Sequence, residues 1–164
     1  MPLLLHIFIH FILAIGLGYG LGRYFKKPWL CLILALLAGW LIDLDHVLEY
    51  FLVFGPHFNL IYFLQGREFL LSDKIHILFH AWEWVLLLGS VACLIWKKKR
   101  TIAIVLITIA AGIFIHLWTD VFINQYAPQN YSIIYRATQG FSAPKLLSPV
   151  EYQRNLELKA ELGI

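Results

Sequence analysis

Four long apolar stretches dominate the chain, running approximately from Leu3 to Gly22, Trp29 to Phe54, Ile75 to Trp96 and Thr101 to Tyr126. Each approaches or exceeds the ~20 residues that a helix needs to cross a bilayer. No Lys or Arg precedes the first stretch and no A-x-A-like site follows it, so it reads as an anchor and not as a cleaved signal peptide. Short basic loops separate the stretches in pairs: Arg23, Lys26 and Lys27 after the first, and Lys97 to Arg100 after the third. By the positive-inside rule both loops face the cytoplasm, which puts both termini and the loop from Gly55 to Lys74 on the other side of a plasma-membrane-type bilayer.

Past Pro128 the apolar pattern stops. The segment NYSIIYRATQGFSAPKLL is expected to be irregular and to fold over the outer mouth of the bundle. In SPVE, Ser148 is a predicted N-cap, Pro149 the first helical residue and Glu151 the partner three residues on, a capping-box start. The helix to about Leu162 would place Tyr152, Leu156 and Ala160 on one stripe and Arg154, Glu157 and Glu161 opposite, as expected at a membrane interface. The predicted fold is therefore all-α: an integral membrane four-helix bundle over residues 1–127, then a tail over 128–164 with a C-terminal interfacial helix.

Composition agrees with a membrane chain. Of 164 residues 60% are hydrophobic and 14% charged, with a mean hydropathy of +0.73. The net charge of +3 comes largely from the two basic loops, so it signals topology and leaves no basic face for nucleic acid. Cys31 and Cys93 lie near the cytoplasmic loops and are expected to be buried thiols outside any disulfide.

What composition does not explain is GWLIDLDHVLEY, residues 39 to 50, with Asp43, Asp45 and His46 inside an apolar run. Every stretch has such a set: His6 and His10 in HIFIH, His76, His80 and Glu83 in HILFHAWE, and His116 and Asp120 in HLWTD. On continuous helices the spacings i, i+3 and i+4 bring each set onto one face. Asp43 and His46 would share a face, while Asp45 would turn away toward Glu49. Counting from the basic loops, His10 is 13 positions before Arg23, Asp43 is 16 after Lys27, His80 is 17 before Lys97 and His116 is 16 after Arg100. At ~1.5 Å per residue these all lie roughly 20 to 26 Å from one boundary, in a common layer.

A carboxylate in hydrocarbon costs at least about 2.5 to 3.5 kcal/mol unless it is neutralised, and no Lys or Arg falls in that layer. One or two divalent cations are the simplest source of positive charge. Imidazole with carboxylate suits Zn, with Mn or Fe as alternatives. The predicted ligands are His10, Asp43, His46, His80, His116 and Asp120, with His6, His76 and Glu49 as partners that orient them. His57, beside Pro56 in the loop, is expected to be solvated.

A histidine pair in the first helix, a D-x-D-H run after Gly-x-Leu-Ile in the second, a further H-x-x-x-H and a late H-x-x-x-D resemble the YdjM-like membrane-bound metal-dependent hydrolases. The resemblance covers roughly residues 6 to 126. It implies that Asp43, Asp45 and His46 form the D-x-D-H signature and that His10, His80, His116 and Asp120 complete the metal site. KIHILFHAWE stands where the family carries an H-R-G-x-T-H-S-like stretch.

Such a site would act as a hydrolase through a metal-activated water, with Asp45 or Glu83 as general base. Its opening near the outer headgroups points to an ester or phosphoester of a lipid or lipid-linked substrate in the bilayer. Three other classes share parts of this pattern: a di-iron lipid hydroxylase or desaturase, a haem protein using His10, His46, His80 and His116, and a metal-ion transporter, the last above all in an oligomer.

Overall fold

The computed structural model describes residues 3–164. Among these, helices account for the regular structure, with one isolated antiparallel bridge between Lys74 and Ser142. The helices are α1 (Leu3–Phe25), α2 (Pro28–Leu41), α3 (Leu44–Phe54), α4 (Leu60–Leu64), α5 (Arg67–Ser72), α6 (Trp82–Ile95), α7 (Arg100–Asn124), α8 (Ile133–Thr138), α9 (Ala143–Leu146) and α10 (Pro149–Leu162), with a 3-10 turn at Pro128–Tyr131. They form two compact units, Met1–Asp43 with Phe79–Gln125, and Leu44–Leu78 with Tyr126–Ile164. Residues 44–78 thus group with the tail, not with the long apolar helices.

Three helical stretches are long and apolar enough to cross a membrane: Leu5–Phe25, Pro28–Phe54 and Arg100–Asn124. The third expected span, Ile75 to Trp96, is helical over less than its hydropathy suggests. Only Trp82–Ile95 is helical, 14 residues, or about 21 Å against a hydrocarbon core of about 30 Å. Residues 75–78 instead belong to the second unit and pair within it, while Ala81 N–H closes a local turn onto Phe79 O. Ile75 N–H donates to Phe141 O and Ala143 N–H to Asp73 O, while Ile77 O accepts from the Arg136 guanidinium at 3.0 Å. Backbone groups committed to tertiary partners cannot also close helical turns. His76 and His80 therefore do not share a helical face with Glu83. The second expected span is also divided, by a turn at Ile42 and Asp43.

In the first unit α1, α2 and α7 pack on one another, and α6 packs on α7. The α2 face is built of small residues: Cys31, Ala35 and Ala38 recur at helical spacing and are all buried. Small residues let helix backbones approach closely where no hydrophobic effect drives them together. A Cβ added at Gly112 would stand 2.7 Å from the Ala38 Cβ, and one at Gly18 would stand 2.7 Å from the Leu32 Cα. The outer faces carry exposed Phe8, Ile12, Tyr19, Ile33, Leu37, Leu86, Leu94 and Phe122. Cys31 is buried as expected, whereas Cys93 is exposed, and both are free thiols.

In the second unit Tyr50 is buried among Phe54, Phe58 and Phe63, and its hydroxyl accepts from Asn59 N–H at 2.9 Å. Asn59 Oδ1 in turn caps α4 by accepting from Ile61 and Tyr62 N–H. The tail is more ordered than its sequence suggests. Ser132 caps α8, Asn130 donates to Leu146 O, and Arg136 is completely buried. The Ser148 and Glu151 capping box starts α10 as expected, and Lys159 Nζ meets Asp73 Oδ2 at 2.7 Å. Its covered stripe is Tyr152, Asn155, Lys159 and Leu162, while Leu156 and Ala160 are exposed.

Glu68 on α5 is almost fully buried, and its Oε2 has no hydrogen-bond partner among the described residues. Burial, and secondarily the Glu49 carboxylate, push its carboxyl up to about 7, against a weaker opposing backbone hydrogen bond. The folded state therefore holds this proton more tightly than the unfolded chain.

Two predictions follow from this packing. Gly112→Val would drive a side chain into Ala38 and cost about 1–3 kcal/mol, read as a lower melting temperature in detergent. For Glu68, the stabilisation is complete below the ordinary glutamate range and is lost as pH rises toward 7, with a slope of up to about 1.4 kcal/mol per pH unit. Unfolding of Glu68→Gln should lack that component of the pH dependence.

Candidate metal centre

The centre is assembled in the first unit from α1, the end of α2, the residues before α6, and α7. His6 and His10 lie one turn apart on α1, and His116 and Asp120 one turn apart on α7. Asp43 stands in the turn that ends α2, and His80 in the extended residues before α6. His10, His80, His116 and Asp120 are buried, with relative exposures of 4%, 2%, 1% and 4%. Asp43 is the accessible member, its side chain 43% exposed, followed by His6 at 22%.

Asp120 is the hub. Its Oδ1 lies 3.1 Å from His6 Nε2 and 3.0 Å from His10 Nε2, and those two nitrogens are 2.8 Å apart. Its Oδ2 lies 3.3 Å from His116 Nε2 and 3.6 Å from His80 Nε2. Asp43 Oδ1 approaches the same two imidazoles, at 3.3 Å from His80 and 3.4 Å from His116, whose Nε2 atoms are 3.2 Å apart.

The turn in α2 has a direct chemical consequence. Asp43 N–H bonds back to Trp40 O, the tighter i to i−3 pattern, instead of to Gly39 O as a continuing α-helix requires. Gly39 O then accepts from His116 Nδ1 at 3.0 Å. Since a carbonyl only accepts, the Nδ1 of His116 carries the hydrogen, and a neutral His116 must present the Nε2 lone pair to the cluster.

Proton counting then tests whether hydrogen bonds alone hold the group together. Five contacts of 3.2–3.6 Å join His80, His116, Asp43 and Asp120. Ionised carboxylates supply no hydrogens, a neutral His116 none at Nε2, and His80 at most one at Nε2. Even with both imidazoles protonated, two hydrogens would be shared among four N···O contacts and would point at each other across the 3.2 Å gap between the Nε2 atoms, and with neutral imidazoles acceptors would face each other lone pair to lone pair. A divalent cation satisfies them together, and nitrogen with carboxylate oxygen is a donor set that Zn, Mn or Fe accepts. Within the first unit taken by itself, His6, His10 and Asp120 form one group able to hold an ion, and His80, His116 and Asp120 another.

Of the residues singled out by sequence, His10, Asp43, His80, His116 and Asp120 come together, and His6 joins them in full contact instead of standing behind them. His46, Asp45, Glu49 and His76 belong to the second unit. There His46 is half-buried with its ring edge-on to Phe69, Asp45 is buried on α3, and Glu49 Oε1 pairs with His76 Nδ1 at 2.7 Å. Glu83 sits half-buried in the first turn of α6. His57 is exposed as expected. One contributor escaped the sequence: the Gly39 carbonyl, whose only trace is the helix-breaking cost of polar residues after Gly39.

His116→Ala and Asp43→Ala should each lower the affinity for Zn by more than the about 10–100-fold that loss of an outer-sphere partner costs, measured by metal analysis of detergent-purified protein that retains its helical circular dichroism. Compared with protein-family models, curated proteins and solved structures, the chain matches none, so a functional reading rests on the chemistry of this centre.

Proposed function

We propose that the protein is an integral membrane, metal-dependent hydrolase acting on an ester or phosphoester of a lipid or lipid-linked substrate. The observation that carries the reading is the buried His80, His116 and Asp120 group with a solvent-reachable edge at Asp43, in a chain with three membrane-length apolar helices. Zn is the preferred ion, with Mn or Fe as alternatives. A bound divalent ion supplies a Lewis acid that brings water ionisation toward neutral pH and polarises the scissile oxygen.

The protein's own groups divide the remaining work. His116, held by Gly39 O, keeps one tautomer and one orientation. Asp43 and Asp120 face the imidazoles, which leaves Glu83 in the same unit as the carboxylate proposed for proton transfer. The buried walls exclude bulk water, and access through Asp43 favours a substrate group entering at that edge.

The geometry argues against the haem alternative. Two axial imidazoles on one iron stand about 4 Å apart, twice a metal–imidazole bond of ~2.0 Å, whereas His80 and His116 Nε2 are 3.2 Å apart. The di-iron alternative keeps the ligands and differs in the metal.

The test is hydrolysis of a panel of phospholipids and lipid-linked phosphoesters by protein reconstituted in liposomes. Turnover should require Zn or Mn and be abolished by chelation, and Glu83→Gln should lower kcat by about 10²–10⁴ while retaining the metal. Iron with a visible absorption band and oxygen-dependent product would overturn the hydrolytic reading.

A further inference from the structure

The two oxygens of Asp120 do not share partners. Oδ1 faces His6 and His10 on one side, and Oδ2 faces His80 and His116 on the other. We infer that the centre is dinuclear, with the Asp120 carboxylate bridging two divalent cations, one held by His6 and His10 and the other by Asp43, His80 and His116. This rests on the metal-binding part of the proposed function and adds the number of ions, their ligands and their inequivalence.

The spacings distinguish the two positions. A tetrahedral ion with bonds of ~2.0–2.1 Å has ligand atoms about 3.3–3.4 Å apart. The set of His80 Nε2, His116 Nε2, Asp43 Oδ1 and Asp120 Oδ2 has five measured edges of 3.2, 3.3, 3.3, 3.4 and 3.6 Å. That is a nearly complete tetrahedron from protein atoms alone. The other set is tighter, with edges of 2.8, 3.0 and 3.1 Å among His6, His10 and Asp120 Oδ1. Ligands at 90° on bonds of ~2.0–2.2 Å are about 2.8–3.1 Å apart, the spacing of one triangular face of an octahedron. Three further positions on that ion would then be open to water or substrate. His6, partly exposed, is its outermost ligand.

Proton counting again excludes the simplest rival. His6, His10 and an ionised Asp120 offer at most two Nε2 hydrogens for three contacts, and at 2.8 Å the two imidazoles cannot both donate outward and toward each other. Merging both sets on one ion would require a single carboxylate to chelate it from both oxygens while their imidazole partners stay segregated. The closest contacts divide instead by oxygen, Oδ1 with His6 and His10 and Oδ2 with His80 and His116.

The test uses the full-length protein in detergent, stripped by chelation and titrated with Co and, separately, Mn. The expected result is two equivalents of metal per chain and a spin-coupled Mn signal. The double variant His6→Ala/His10→Ala should keep one equivalent, with the intense visible Co bands of a tetrahedral ion, and lose the coupling. Should that variant fail to fold by circular dichroism, His6→Gln alone should lose one equivalent. One equivalent in the wild type, or loss of both ions on removing His6 and His10 from a folded protein, would overturn the inference. The two readings fail separately: a one-ion protein that hydrolyses lipid esters overturns only the dinuclear centre, and a two-ion protein inert toward every ester overturns only the function.

Discussion

A buried group of acceptors with too few hydrogens is the constraint on which this structure turns. Asp120 is nearly inaccessible and is surrounded by imidazole nitrogens at 3.0–3.6 Å. Without positive charge such an arrangement costs several kcal/mol per ionised group in a low-dielectric surround. The fold does not relieve this with Lys or Arg. It gathers nitrogen and oxygen donors from four chain segments, and the close approach of α1, α2 and α7 through Gly18, Ala35, Ala38 and Gly112 brings those segments within reach.

Much of this was legible in the sequence because hydropathy and helical spacing act over long distances. The His10, Asp43, His80 and His116 layer followed from counting residues between basic loops, and these side chains do meet. That success depended on straight helices only for α1 and α7. The second apolar segment keeps its expected membrane length but turns at Ile42 and Asp43, and the third is helical only over Trp82–Ile95, in both cases where polar groups override hydropathy. Asp43 sits at a turn because an exposed carboxylate and a freed Gly39 carbonyl are better satisfied there than in a continuing helix. Residues 75–78 lose their helix because Phe141 and the Arg136 guanidinium take their carbonyl and amide groups. Pairings across more than 50 positions have no local sequence signal.

The second unit shows the same limit from the other side. Residues 55–74 and the start of the tail looked loop-like, yet the unit buries Arg136, Glu49 and Glu68 with Tyr50. Charged residues this deeply covered are rarely inferred from sequence, since charge normally marks a solvated face. His46 and Asp45, adjacent to Asp43 in the D-x-D-H run, belong to this unit. The motif therefore straddles a division of the chain, and its letters alone do not reveal which of them act together.

The order of synthesis gives the centre one more property. His10 and Asp120 are 110 positions apart, on the first and last of the long apolar helices. α1 is made first, so its two histidines have no Asp120 to meet until α7 has been synthesised. A cluster that depends on Asp120 can close only once residue 120 has been made, so it ties the first of the long apolar helices to the last.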